Sequence, residues 1–129
     1  MHYLSEDDIL YLHSIAIDEI GGLHGIRDHH AVLSLAGLPR QSFSGQELYP
    51  TLFDKAAVYA RSISMNHPFL DGNKRTGMLA AGVFLEHNGY KVIVREGGVA
   101  RFALRIVKQK LDIKEISAWL KKHSRKINQ

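Results

Sequence analysis

The chain has 129 residues, enough for one domain with one hydrophobic core, and its 45% hydrophobic and 23% charged residues are ordinary for a globular protein. It lacks cysteine, which excludes disulfides and thiolate catalysis, and it lacks the ~18-residue apolar run of a membrane span. The formal net charge of +4 favours anionic partners. Because the first residues, MHYLSEDDIL, do not resemble a secretory signal, we expect a cytoplasmic protein.

Two helices and a flap are predicted in the first 50 residues. Ser5 followed by three acidic residues has the form of an N-cap with an acidic first turn, and apolar residues then recur at helical spacing until a pair of glycines ends the helix. Asp28 is expected to cap a second, short helix that ends at Gly37. The next segment, RQSFSGQELYP (40–50), is neither helical nor strongly apolar, and its central glycine favours an exposed hairpin.

Four further helices are predicted in the rest of the chain. Thr51 opens a helix that must end near Asn66, because a proline two residues later disfavours helical angles at the position between them. Residues 76–87 are apolar nearly all round, so their helix is expected to be the buried central one. A β-prone stretch follows at 90–94, and apolar spacing with a capping-box pattern in DIKE (112–115) predicts two amphipathic helices.

We therefore expect a single all-α domain over residues 1–129, with about six helices and a short β-hairpin flap. Its C-terminal residues, 121–129, are predicted to be a solvated, basic helix end. The cations there are Lys121, Lys122, Arg125 and Lys126. Attraction to nucleic acid is the alternative for this tail, but no aromatic residues interleave the cations as a stacking surface would require. We therefore do not expect a nucleic-acid partner.

The stretch HPFLDGNKRT (67–76) lies between two predicted helices, the second of which starts at about Gly72. The first turn of a helix presents unpaired N–H groups and a partial positive charge, so it is a ready site for phosphate. Gly72 lacks a Cβ and lets an anion approach the backbone closely. Lys74 and Arg75 would be unfavourably placed at a helix N-terminus without a bound anion, which indicates an anionic ligand.

The remaining polar residues of this stretch supply the other parts of a nucleotide site. The amide of Asn73 can donate a hydrogen bond to a phosphate oxygen, and Asp71 is a hard oxygen ligand for a Mg²⁺ ion that bridges two phosphates. His67 can accept a proton from an attacking hydroxyl at neutral pH. Each residue alone has an ordinary structural explanation. Their combination within one short stretch favours a phosphate site with a base.

This stretch resembles the signature of the Fic family, H-P-F-x-[DE]-G-N-[GK]-R, and in particular its Doc (death-on-curing) branch. The similarity extends to the segments GGLHGIRD (21–28), GLPRQSFSGQELYPT (37–51) and FLEHNGYKV (84–92). It implies a helical Fic-type (Fido) fold with His67 as the catalytic base and Asp71 as the Mg²⁺ ligand. The residues implied to bind the phosphates of ATP are Gly72, Asn73, Lys74 and Arg75.

The resemblance also implies that the flap pairs with the backbone of a protein target by strand addition. Gln41, Ser42 and Phe43 are the flap residues expected to take part. Phe43 is equally compatible with a place in the core, so the sequence leaves its role open.

Lys74 bears on which group is transferred. Most Fic proteins have glycine at this position and transfer AMP, whereas the Doc branch shares the lysine, holds the nucleotide reversed and transfers the γ-phosphoryl. The resemblance therefore implies a protein kinase acting on a Thr or Ser hydroxyl, with elongation factor Tu as its target and inhibited translation as the result. An AMP transferase is the alternative, weakened because Met78 stands where AMP-transferring members carry a second arginine. A catalytically inert Fic-fold binding module is a further alternative.

Many Fic proteins inhibit themselves with a helix that carries [ST]-x-x-x-E-[GN]. Here only Glu96 precedes Gly or Asn, and Val92 occupies the hydroxyl position, so we find no such segment in this sequence. The resemblance thus implies a toxin that is inhibited in trans by a Phd-like antitoxin bound in a groove. A metal-dependent nuclease is a rival of another class, to which His29 and His30 could contribute ligands, but no His/Cys metal-binding spacing accompanies them.

Overall fold

The computed structural model describes residues 1–127, which form six α-helices and four short strands. The helices are α1 (Glu6–Ile20), α2 (His29–Gly37), α3 (Leu52–Asn66), α4 (Asn73–His87), α5 (Gly98–Lys108) and α6 (Ile113–Lys122). The strands are β1 (Ser42–Phe43), β2 (Gln46–Glu47), β3 (Tyr90–Val92) and β4 (Ser124–Lys126). The predicted helical domain with a hairpin flap is confirmed. None of the described helices is long and apolar enough to cross a bilayer.

Local capping chemistry places the helix starts where the sequence predicts them. The Ser5 hydroxyl accepts a hydrogen bond from the Asp8 N–H (3.1 Å), and the Asp8 carboxylate accepts one from the Ser5 N–H (2.8 Å). The same reciprocal pair of bonds forms between Thr51 and Asp54 at the start of α3. These bonds satisfy N–H groups that a helix otherwise leaves unpaired, so each helix begins at a defined residue.

The core is built around α3 and α4, which pack closely together, and α4 also contacts α1 and α5. Gly77 of α4 makes the close approach possible: a Cβ at this position would lie 2.8 Å from the Ala60 carbonyl oxygen and 2.7 Å from the Ser64 hydroxyl. α6 packs against α3 from another side. The loop between α3 and α4 therefore joins the two helices at the centre of the core.

The prediction of a basic helix end at 121–129 is wrong beyond Lys122. α6 stops there, the ring of His123 stacks on Trp119 (4.2 Å between centroids), and Ser124–Lys126 pair antiparallel with β3. The strand forms because its backbone groups pair with those of β3, which would otherwise lack hydrogen-bond partners. The basic side chains of this segment do not indicate such pairing in the sequence. Residues 128 and 129 of the predicted helix end lie outside the described residues.

Candidate active site

The loop between α3 and α4 carries the predicted site. α3 ends at Asn66 as expected, and His67 adopts the left-handed conformation (φ 49°, ψ 58°) as its C-cap. Arg27 caps this helix end, because its guanidinium donates to the Asn66 carbonyl (2.7 Å) and to the His67 carbonyl. With its backbone held in this way, His67 is exposed to solvent, so a target hydroxyl can approach it.

The segment 21–28 also holds this loop, through hydrogen bonds between the two backbones. The N–H groups of Arg27 and Asp28 donate to the Pro68 carbonyl (2.8 and 3.0 Å), and the Leu70 N–H donates to the Gly25 carbonyl (3.1 Å). Ile26 and Phe69 form an isolated antiparallel bridge. The two segments behave as one unit, because a displacement of either would break several hydrogen bonds.

The side chain of Asn73 is hydrogen-bonded inside the loop. Its side-chain Nδ2 donates to the Phe69 carbonyl (3.0 Å), and its Oδ1 accepts from the Phe69 N–H (3.0 Å). Both ends of the amide are therefore engaged inside the loop, and the residue is buried. The Nδ2 group has a second N–H, and the backbone N–H of Asn73 lies in the first turn of α4, so the phosphate contact of this residue stays a prediction.

Asp71 is exposed, and its carboxylate is oriented by two backbone donors. Oδ1 accepts from the Gly72 N–H (2.9 Å) and Oδ2 accepts from the Leu23 N–H (3.2 Å). A Cβ on Gly22 would lie only 2.7 Å from Oδ2, so this close approach requires glycine. In residues 1–127 no group of three or more His, Asp or Glu side chains is arranged to hold a metal. The donor set fits Mg²⁺, which commonly uses one or two carboxylates together with nucleotide phosphates and water.

The first turn of α4 has the features of an anion site. Gly72 is in the left-handed region (φ 74°), and the first hydrogen bond of the helix runs from the Thr76 N–H to the Gly72 carbonyl (2.9 Å). The N–H groups of residues 73–75 therefore precede the helix ladder. Lys74 and Arg75 are exposed, and within the described part of the chain neither is paired with a carboxylate. The turn thus concentrates positive charge without an internal counter-ion.

A groove of about 700 Å³ lies between α4 and α5, and Lys74 and Arg75 are among the residues that line it. Most of its lining is apolar, from Met78, Leu79, Val83, Val99, Ala103 and Leu104. Glu19 and Glu86 also line it, whereas His67 and Asp71 do not. The helix α4 was expected to be the buried central one, but one of its faces is partly open along this groove.

The predicted flap is an exposed hairpin. β1 and β2 pair antiparallel through a two-residue turn in which Ser44 and Gly45 have positive φ values (51° and 79°), as the common tight hairpin turn requires. Gln41 and Ser42 are exposed, and Phe43 is 75% exposed, which excludes its alternative place in the core. The flap leaves the body at the start of α3, whereas the imidazole lies at the end of this helix, a rise of about 22 Å.

The loop of residues 67–72 between α3 and α4 is called the active loop below. Two side chains that hold it were not predicted as site residues. Arg27 caps α3 as described above, and His13 of α1 places Nε2 2.9 Å from the Asp71 carbonyl oxygen. His13 lies on the apolar face of α1, and a histidine on a buried face needs a hydrogen-bond partner, which was the available signal. His29, considered as a metal ligand, instead lies 3.5 Å from a carboxylate oxygen of Glu6.

Comparison with known proteins agrees with this geometry. The Fic/DOC family model matches residues 3–85, which include the loop and the helices that hold it. The chain therefore belongs to the Fic/DOC family. It is 39% identical over 90 residues to Toxin Doc of Mycolicibacterium smegmatis, covering 70% of this chain and 67% of that protein. It is 32% identical over 92 residues to Protein kinase doc of Escherichia phage P1, covering 71% of this chain and 72% of that protein. These relatives confirm the predicted Doc branch.

Proposed function

We propose that this protein is a Doc-like toxin and protein kinase, which transfers the γ-phosphoryl of ATP to a Thr or Ser hydroxyl of a protein. The observation that carries the proposal is the first turn of α4, where Lys74 and Arg75 lie unpaired next to a loop with an exposed His67. The relative named Protein kinase doc supports the same reaction class.

In the proposed reaction His67 accepts the proton of the target hydroxyl. The hydroxyl oxygen bonds to the γ-phosphorus while the bond from this phosphorus to the β–γ bridging oxygen breaks, and ADP leaves. The free N–H groups of residues 73–75 and the cations of Lys74 and Arg75 hold the phosphates and offset the negative charge of the transition state. Asp71 would hold Mg²⁺, which supplies further charge neutralisation when bound.

Two features favour γ-phosphoryl transfer over AMP transfer. Lys74 adds bulk and charge at a position where AMP-transferring members have glycine. Met78, at the position of their second arginine, is 6% exposed and packs in the core, so it offers no charge to a phosphate. The nucleotide orientation of AMP transfer is disfavoured on both counts.

The proposed target is a translation factor, with elongation factor Tu as the candidate implied by the family resemblance. The exposed flap offers β1 and β2 as a short sheet for strand addition by an extended segment of the target.

An antitoxin that inhibits the protein in trans is proposed to occupy the groove between α4 and α5. The apolar lining suits the apolar face of an amphipathic helix, and Lys74 and Arg75, which line the groove together with Glu19 and Glu86, suit acidic residues placed next to them. An occupant in contact with Lys74 and Arg75 would compete with nucleotide phosphates for the same charges. This arrangement would couple antitoxin binding directly to loss of activity.

The proposal is tested with ATP labelled at either the α- or the γ-phosphate, incubated with Mg²⁺ and a translation extract. We expect the γ label, and not the α label, on a protein of the extract. The Lys74→Gly variant should lose this transfer, because it loses the charge and gains space for the nucleotide orientation of AMP transfer. Labelling from the α-phosphate by the unaltered protein would establish AMP transfer instead, and no labelling from either would favour an inert binding module.

A further inference from the structure

His13 is a buried histidine outside the predicted site, with 4% of its surface exposed. Its ring stacks on Phe69 with 3.8 Å between centroids and 6° between planes, and its Nε2 lies 2.9 Å from the Asp71 carbonyl oxygen. Because a carbonyl can only accept a hydrogen bond, Nε2 must carry the hydrogen and donate it. α1 therefore reaches into the active loop through one directional contact.

The bond to the Asp71 carbonyl also controls the direction of the next N–H. The peptide unit between Asp71 and Gly72 is planar, so the orientation of its C=O sets the orientation of its N–H. This N–H donates to Oδ1 of the Asp71 carboxylate at 2.9 Å. His13 thus acts on the carboxylate through a rigid peptide plane, although it does not touch the carboxylate.

The surroundings leave this peptide unit little freedom to find another orientation. Gly72 is in the left-handed region, and a Cβ there would lie 2.8 Å from Cδ1 of Ile17, one turn of α1 beyond His13. Phe69, the stacking partner of His13, is itself fixed by both ends of the Asn73 amide. The peptide unit is therefore held both by residues of α1 and by its neighbours in the loop.

We propose that His13 is a positioning residue, which sets the rotamer of the Asp71 carboxylate for Mg²⁺ bound with ATP. This inference rests on the proposed function for the assignment of Asp71 as the metal ligand. Hydrogen bonds that orient a metal ligand without contacting the metal typically change metal affinity or activity by about 10- to 100-fold when they are removed. Packing of the ring in the core is the competing explanation, and substitution separates the two.

Two variants divide the histidine into its parts. His13→Phe keeps a flat ring for the stack on Phe69 but has no donor for the Asp71 carbonyl. His13→Gln loses the ring but can place an amide N–H near the position of Nε2. A positioning role predicts that the glutamine variant resembles the unaltered protein, whereas a packing role predicts that the phenylalanine variant does.

The readouts are Mn²⁺ affinity in the presence of a non-hydrolysable ATP analogue, measured by electron paramagnetic resonance, and the Mg²⁺ concentration that half-saturates transfer. For His13→Phe we expect both values to weaken by about 10- to 100-fold with thermal unfolding little changed, and for His13→Gln a return towards the unaltered protein. Unchanged Mn²⁺ affinity in His13→Phe would overturn the inference. Failure of this variant to fold, or equal weakening in both variants, would assign His13 to the core instead.

Hydrogen exchange of the amides of residues 69–73, measured without nucleotide, keeps this inference separate from the proposed function. We expect faster exchange at Gly72 in His13→Phe, because the peptide unit loses its carbonyl anchor and the N–H loses its fixed direction. Unchanged exchange there would contradict the positioning role even if transfer is observed. Absence of transfer by the unaltered protein would overturn the proposed function, while the exchange data would still decide the role of His13.

Discussion

The imidazole of His67 is exposed because the contacts that hold its loop are made to the backbone of the loop and not to the imidazole. Arg27 satisfies the carbonyl of His67, and residues 25–28 pair with residues 68–70, so the side chain is left free for chemistry. A residue in the left-handed region carries a conformational cost that the surrounding contacts must offset. This cost fits a residue whose backbone conformation serves to direct its side chain, here the imidazole of His67.

Replacing His67 with alanine is predicted to lower phosphoryl transfer by roughly 10²- to 10⁴-fold, because the target hydroxyl loses its proton acceptor. The fold should persist, since the backbone of residue 67 rather than its ring makes the loop contacts. His87→Ala is the matched control, because His87 is an exposed histidine at the end of α4. Initial transfer rates and thermal unfolding measured side by side check this prediction, and full activity in the first variant would refute the assignment of the base.

At the scale of elements, two glycines of α4 predict opposite effects of the same substitution. Gly77→Ala would place a Cβ 2.8 Å from the Ala60 carbonyl of α3 and force the helices apart. We expect it to lower the free energy of unfolding by about 1–3 kcal/mol. At Gly82 a Cβ meets nothing within 4 Å, so Gly82→Ala should raise it by up to about 1 kcal/mol through helix propensity. Urea unfolding of both variants is the measurement, and equal effects would contradict the proposed helix contact.

The flap depends on one buried cation for its attachment. Lys55 of α3 is 1% exposed, and its ammonium donates to Glu47 (2.8 Å) on β2, to the Tyr49 carbonyl and to the Pro39 carbonyl (3.4 Å). It therefore joins the two arms of the flap where they leave the body. Residues 41–48 are all exposed, so no hydrophobic burial adds to this attachment. A hairpin of two residues per strand is not stable by itself.

Lys55→Met is therefore predicted to loosen the flap without unfolding the helices. It keeps the length of the side chain but removes all the hydrogen bonds, which we expect to lower the free energy of unfolding by about 1–3 kcal/mol. Chymotrypsin should cleave after Phe43 faster in this variant than in the unaltered protein. Lys108→Met is the control, because Lys108 is exposed on α5, and equal cleavage rates in the two variants would show that Lys55 does not hold the flap.

At the scale of the whole molecule, Tyr59 ties the N-terminal segment to the centre of the fold. Its hydroxyl accepts a hydrogen bond from the Leu4 N–H (3.0 Å), and both residues are fully buried. Burial raises the pKa of Tyr59 from 10.0 to about 12, because the interior disfavours the charged phenolate, although the bond from Leu4 opposes this shift. Between these values the unfolded chain loses this proton and the folded chain keeps it.

The stability contributed by this shift is complete below the unfolded pKa of 10.0 and is lost as the pH rises through about 12. For the unaltered protein we expect a loss of about 2–3 kcal/mol across this range, as a shift of this size implies. Tyr59→Phe should lack that component of the alkaline loss, but it should be less stable near neutral pH by about 1–3 kcal/mol, since the Leu4 N–H is left unpaired. Urea unfolding at a series of pH values checks this, and parallel curves for both proteins would contradict it.

Local rules allowed much of this molecule to be predicted. The capping residues Ser5, Asp28 and Thr51 act through bonds to N–H groups three residues away, and a contact of that range is visible in the sequence. The hairpin around Gly45 and the end of α3 at Asn66 also follow from neighbours along the chain. The Fic-type loop could be recognised because its functional residues are contiguous.

The sequence did not show the contacts of residues whose partners lie in other elements or compete nearby. It did not show that the backbone of Phe69 engages Oδ1 and one N–H of the Asn73 amide. The residues of β4 were expected to be helical. Their pairing with β3 could not be predicted from local patterns, because it joins residues more than 30 positions apart. His13 was not distinguished from the other histidines, since its partner is a carbonyl 58 positions away.

By itself, the sequence determined the helical architecture, the position of the active loop and the chemical groups it carries, because each depends on interactions within one short stretch of chain. Only the tertiary structure decided how that loop is held, which side chains remain free for a ligand and where the open groove lies. These depend on the contact of α1 with the loop and on the way α5 packs beside α4. Such long-range packing selects one arrangement among many that local preferences would allow.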